Sequence, residues 1–84
     1  MKSYLPFDGW RVRYWTSNPT PGLPSACASA LRAAMPGASV SVEVDPDADA
    51  IAIIPPQKAT TEAMERARGL ASLVVERTHR AGVA

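Results

Sequence analysis

Two arginines and a tryptophan alternate along the segment GWRVRYWT, and they are the side chains of this chain best suited to binding chemistry. In an extended strand, Arg11, Arg13 and Trp15 would share one side, with Val12 and Tyr14 on the other. Exposed aromatic rings stack on nucleic-acid bases and guanidinium groups pair with phosphates. Tryptophan and arginine are also enriched at the energetic centres of protein interfaces. The segment therefore predicts a contact surface for one of these two kinds of partner.

A second candidate for chemistry is the acidic segment DPDADA. It places Asp45, Asp47 and Asp49 at the spacing that opens an EF-hand calcium loop. That loop needs a glycine at its sixth position and a glutamate at its twelfth, whereas this chain has Ala50 and Pro56 there. Aspartate and proline are ordinary turn residues, so the segment predicts a turn. We expect no metal site and no cofactor.

Groups that could perform catalysis are sparse. Cys27 falls on the apolar side of a predicted helix, which indicates a core residue, because a reactive thiol needs exposure and a basic neighbour. His79, the single histidine, lies in the last turn of a second predicted helix, where the helix dipole favours a positive charge. No nucleophile has a partner base, and no glycine-rich phosphate motif is present. The chain is therefore predicted not to be an enzyme.

Hydrophobic periodicity predicts the elements that must position these residues. Alternating segments indicate strands, and apolar residues three or four apart indicate helices. The predicted strands are 10–16, 39–44 and 51–54, and the predicted helices are about 24–35 and 61–79. Pro24 suits the first turn of a helix, where no backbone N–H is needed. The segment DPDADA is interpreted as the turn of a hairpin between the second and third strands.

The order of these elements predicts an α+β fold. Both helices would cover one face of a three-stranded sheet, with the first helix as a right-handed crossover. This is a small βαββα sandwich, a ferredoxin-like split βαβ unit that lacks its last strand. Its strand order would be 1-3-2, so the first strand becomes an edge that another chain could pair with. The domain is predicted to span residues 10–80, between an N-terminal arm (1–9) and a C-terminal tail (81–84).

The sheet face opposite the helices is predicted to be uncovered, and we call it the open face. Its members are Arg11, Arg13, Trp15, Ser41, Glu43, Ala50, Ala52 and Ile54. This face suits a protein better than a nucleic acid, because the aromatic pairs of RNA-recognition sheets are missing and Glu43 repels phosphate. The residues predicted to contact a partner are Arg11, Arg13, Trp15, Ser41, Glu43 and Ile54. The third alternative is purely structural: Trp15 closes the end of the sheet.

The bulk composition limits the class of protein. With 84 residues and one cysteine, the chain can build one small core but neither an internal disulfide nor a multi-cysteine zinc site. A net charge of +1 gives no long-range attraction to nucleic acid or anionic lipid. The segment MKSYLPFDGW lacks the apolar run of a signal peptide, and no stretch reaches the ~18 apolar residues of a membrane span. We expect a cytoplasmic protein without membrane contact.

Together these features predict a small non-catalytic module that binds a protein partner or a second copy of itself. The contact would use the open face and the edge of the first strand. The expected role is that of an assembly component or a regulatory inhibitor, with a phage-encoded protein as one origin. The alternative function is sequence-tolerant binding of single-stranded nucleic acid through Arg11, Arg13 and Trp15.

Overall fold

The computed structural model describes residues 5–82 and contains a three-stranded sheet and two helices. The elements are β1 (Arg11–Thr16), α1 (Leu23–Ala34), β2 (Ser39–Val44), β3 (Ala50–Ile54) and α2 (Thr61–Gly82). The predicted α+β class, with a three-stranded sheet and two helices, is confirmed. The predicted arm and tail fall partly on residues 1–4 and 83–84, which lie outside the described residues.

The strand order is β2-β1-β3, so β1 lies at the centre of the sheet. β1 runs parallel to β2, with Val12 beside Val40, and antiparallel to β3, with Val12 beside Ile53. The predicted order 1-3-2 is therefore wrong, and so is the predicted hairpin, because β2 and β3 flank β1 instead of pairing. β1 and β2 pair directly, so the predicted split of the β1–α1–β2 unit by another strand is wrong as well. Since β1 is not an edge, its backbone is not available for docking.

The central position of β1 follows from its side chains. Val12, Tyr14 and Thr16 are all buried on the helix side of the sheet, whereas the valines of β2 on that side are half-buried or exposed. A central strand has neighbours on both sides, so folding removes more of its surface from water than it removes from an edge strand. The strand with the largest aromatic and β-branched side chains therefore gains the most by occupying that position.

The segment DPDADA crosses the end of β1 to reach β3. The Asp45 N–H donates to the Thr16 carbonyl oxygen (2.8 Å). The Asp49 carboxylate accepts hydrogen bonds from the Ser17 N–H (2.8 Å) and the Ser17 hydroxyl (2.7 Å). These bonds, first from the N–H and then from the hydroxyl, lower the pKa of Asp49 because they favour the charged carboxylate. Within residues 5–82, no group of three acidic, histidine or cysteine residues could hold a metal ion.

Both helices pack on the same face of the sheet, as predicted, and they also pack against each other. The core is formed by Trp10, Val12, Tyr14, Leu23, Cys27, Leu31, Met35, Ile53, Ala67, Ala71 and Val75. α1 begins after Gly22, whose φ of 84° lies in the left-handed region that glycine adopts without strain, and Pro24 occupies its first turn. In the described part of the chain, no helix is long and apolar enough to cross a membrane.

The segment before β1 packs on the domain from residue 5 onward. The Phe7 ring meets the Trp10 ring edge to face, with centroids 5.8 Å apart, and the Phe7 N–H donates to the Pro36 carbonyl oxygen (2.9 Å). Gly37 has a φ of 95°, and a Cβ there would lie 2.8 Å from the Asp8 nitrogen. Only glycine fits at that position without displacing the segment.

Candidate interaction surface

The open face is built on β1, where buried and solvent-facing side chains alternate. Arg11 and Arg13 are exposed and Trp15 is half-buried, while the residues between them are buried. Both helices lie on the other side of the sheet, so within residues 5–82 no helix covers these three side chains. The alternation predicted from the sequence is therefore confirmed for β1.

The strand register brings all the residues predicted to contact a partner onto the open face. Residues paired on adjacent strands share a face of the sheet. The relevant pairs are Arg13 with Ser41, Trp15 with Glu43, and Arg11 with Ile54. β2 supplies one flank of the surface and β3 the other, with the two arginines and the tryptophan along the middle. That these residues bind a partner stays a prediction; that they lie together is a finding.

Arg13 and Trp15 already contact each other. The guanidinium carbon of Arg13 lies 4.9 Å from the centroid of the Trp15 ring, a cation–π contact that stabilises an exposed site by about 0.5–1 kcal/mol. The contact orders both side chains before any partner arrives. It also covers one side of the indole ring, so a base would have to displace Arg13 to stack on that side.

Apolar and charged groups are interleaved on the open face. Ile54 is 45% exposed although it is fully aliphatic, and its strand neighbour is Arg11. Trp15 lies between Glu43 on β2 and Ala50 on β3, so the indole is much larger than its β3 neighbour. Apolar side chains bordered by charge are the composition of an interface core with a polar rim.

The covered face has a hydrogen bond that sequence reasoning missed. The Tyr14 hydroxyl lies 2.8 Å from the His79 Nε2, across 65 residues of sequence, and the two rings meet edge to face. Burial raises the pKa of Tyr14. The hydrogen bond and the ring contact hold the end of α2 against the central strand. His79 therefore has a packing partner in addition to the predicted contact with the helix dipole.

Cys27 lies in the core, as predicted. Its side chain is fully buried on α1, and burial raises the pKa of the thiol, because the charged thiolate is disfavoured away from water. The thiol therefore lies on the opposite side of the sheet from the open face, where burial disfavours its ionisation.

A second surface, the outer edge of β2, was not singled out from the sequence. β2 pairs with β1 alone, so among the described residues its other edge has no strand partner. A groove of about 390 Å³ separates this edge from α1. The signal was available in the sequence: SVSVEV alternates cleanly and contains neither proline nor lysine, the residues that commonly protect an edge.

The open face offers contacts and no activated nucleophile. Its hydroxyls, on Ser39 and Ser41 of β2, have Arg11 and Arg13 as their neighbours on β1, and an arginine is permanently protonated and cannot act as a base. Its remaining side chains are guanidinium groups, an indole, a carboxylate and aliphatic groups. Comparison with known proteins adds no relative to this description, because no protein-family model, curated protein or solved structure matches the chain.

Proposed function

We propose that this chain is a small non-catalytic interaction module whose open face binds a protein partner. The observation that supports this function most is that Arg11, Arg13 and Trp15 share the uncovered side of the central strand, where the arginines are exposed and the tryptophan is half-buried. Trp and Arg are the residue types that dominate interface energetics, and here they stand together on a face that the two helices leave bare.

Within this function, Trp15 is the anchor and the arginines are the rim. The indole is the largest apolar group on the open face, and Ile54 adds a second apolar contact on the β3 side. Arg11 and Arg13 provide donors for carboxylates of the partner. The partner is therefore a protein surface with an apolar pocket bordered by acidic groups.

Single-stranded nucleic acid is the competing ligand. Trp15 could stack on a base, but Arg13 already lies against its ring. Glu43, beside Trp15 on β2, would repel the phosphates on that side. A protein partner needs neither side chain to move, which is why we favour it.

We place this module in the cytoplasm, where a free buried thiol such as that of Cys27 is maintained. Its role is that of an assembly component or a regulatory inhibitor. One origin that we propose for such a protein is a phage genome.

Photo-crosslinking in the host organism tests this function. A benzophenone amino acid replaces Ala52, which lies beside Arg13 on the β3 flank of the open face, and in the control it replaces Ser72, an exposed residue of α2. We expect a discrete protein adduct from position 52, lost when Trp15→Ala is added, and none from position 72. Equal adducts from both positions would contradict the proposal.

A binding series with labelled oligodeoxythymidine tests the competing ligand. Contacts with phosphate make log affinity fall by about 0.7 per log unit of salt for each phosphate neutralised on a single strand. We expect no such binding. Salt-dependent binding that Trp15→Ala removes would overturn the proposed function in favour of nucleic acid.

A further inference from the structure

We infer that the outer edge of β2 pairs with the same edge of a second copy of this chain, antiparallel, so that the two sheets become one. This inference goes beyond the proposed function, because it uses the backbone at the side of the sheet and takes only Arg13 and Glu43 from the open face, which leaves Trp15, Arg11 and Ile54 available to a different partner.

The register identifies the backbone groups available for this pairing. Residues of β2 that face β1 donate to its carbonyl oxygens: Ser39 to Trp10 (2.9 Å), and, just beyond the strand, Asp45 to Thr16 (2.8 Å). Successive residues of a strand point their N–H and C=O groups to opposite edges. The residues that point these groups outward are therefore Val40, Val42 and Val44.

These outward residues are complementary to themselves. About a two-fold axis at Val42, this residue meets its own copy, and Val40 meets Val44 of the second copy, so each pair can exchange both N–H···O=C bonds. The Val44 side chain, which is 47% exposed, would then be covered by Val40 of the second copy. Such a contact uses the same patch on both chains and closes into a dimer instead of a fibre.

Charge complementarity selects a second copy of this chain as the occupant. In this register Glu43 lies beside Ser41 of the second copy, and Arg13 of the second copy lies beside that same serine on β1. Because serine is short, the Glu43 carboxylate and the Arg13 guanidinium can meet above it. Because the dimer is two-fold symmetric, the same ion pair occurs twice, once with each chain supplying the glutamate.

The outer side of α1 permits the approach. The α1 residues that line the groove beside the β2 edge are mostly small: Pro24, Ser25, Ala28 and Ser29. Arg32 is the long side chain of this group, and its Nη2 lies 3.4 Å from the Val40 carbonyl oxygen. This long, exposed hydrogen bond occupies the Val40 carbonyl oxygen and no N–H group, so it protects one end of the β2 edge only weakly.

β3 provides a poorer edge. It is shorter than β2, and Pro55 and Pro56 follow it directly. Proline has no N–H to donate and interrupts pairing where it occurs. The longer, proline-free edge of β2 is therefore the one suited to a second copy.

Sedimentation and light scattering of the full chain over a concentration series test the inference. We expect a mass twice that of the chain. Val42→Pro removes an outward N–H that has no role in pairing with β1, so the variant should be a folded monomer by circular dichroism. Val42→Thr keeps the N–H and the branched shape, and should remain dimeric. A chain that is monomeric at every concentration, or a dimer unaffected by Val42→Pro, would overturn the inference.

Charge exchange gives a second test that does not depend on proline. Glu43→Arg places an arginine opposite Arg13 of the second copy, and Arg13→Glu places a glutamate opposite Glu43 of the second copy. Each change puts like charges on the two sides of Ser41, so each should weaken the dimer roughly tenfold. The double variant should restore it, whereas failure of this rescue contradicts the proposed register. Trp15→Ala separates the two proposals: it should abolish crosslinking from position 52 and leave the dimer intact.

Discussion

The two faces of the sheet differ in what completes them, and β1 shows the difference in adjacent residues. Tyr14 is 5% exposed and is hydrogen-bonded to His79 of α2. Trp15, the next residue, points the other way and contacts Arg13 of its own strand. The covered face is completed by the chain's own helices; within residues 5–82, no helix completes the open face. Stability should therefore depend on one side of β1 and partner binding on the other.

The largest contrast is expected from one of the largest fully buried side chains of the core, which lies between the sheet and the helices. Leu31 of α1 is fully buried, so Leu31→Ala should lower the free energy of unfolding by about 2–5 kcal/mol through lost burial and the cavity that remains. Urea unfolding followed by circular dichroism measures this loss. The control is Arg11→Ala on the open face, which should change the same quantity by less than about 0.5 kcal/mol. Comparable losses in both variants would contradict the division of roles between the faces.

The sequence predicted the elements and their faces because both are local properties. The alternation of Val12 and Tyr14 with Arg13 and Trp15 needs no knowledge of distant residues, and the burial along β1 follows it. The end of α2 was less well predicted: the helix continues to Gly82, three residues beyond the predicted boundary at 79.

The strand order could not be predicted in this way, because it depends on contacts between distant residues. A connection such as DPDADA is long enough either to close a hairpin or to cross the end of a strand. The hydrogen bonds between Ser17 and Asp49, 32 residues apart, accompany the second arrangement. For the same reason the pairing of Tyr14 with His79 was missed. The docking edge was assigned to β1, although in the described part of the chain the unpaired edges belong to β2 and β3.

A smaller effect on the free energy of unfolding is expected at Tyr14, and it should depend on the ionisation of one hydroxyl group. Tyr14→Phe deletes the hydroxyl that meets His79, so it should cost about 0.5–1.5 kcal/mol near pH 7. Burial raises the pKa of Tyr14 in the folded chain above its unfolded value. The stabilisation by the neutral phenol is therefore complete below the unfolded pKa of about 10 and is lost as the pH rises through the folded pKa.

Urea unfolding of both proteins near pH 7 and near pH 10.5 measures this dependence, since the phenylalanine variant has no phenol at this position to ionise. The stability difference between the two proteins should narrow at the higher pH. A difference that widens would mean that the phenolate, not the phenol, is favoured in the folded chain.

The smallest effect is expected at Ile54, and its neighbour on β3 provides a matched control. Ile54 is 45% exposed on the open face, whereas Ile53 is 8% exposed on the covered face. Threonine keeps the branched shape in both cases, so Ile54→Thr should change the free energy of unfolding by less than about 0.5 kcal/mol. Ile53→Thr buries a hydroxyl and should cost about 1–3 kcal/mol. If Ile54→Thr also weakens crosslinking from position 52, its apolar side chain contributes to binding and not to folding. Equal destabilisation by the two variants would instead mean that the open face is covered within the folded chain, and the surface proposed for a partner would not exist.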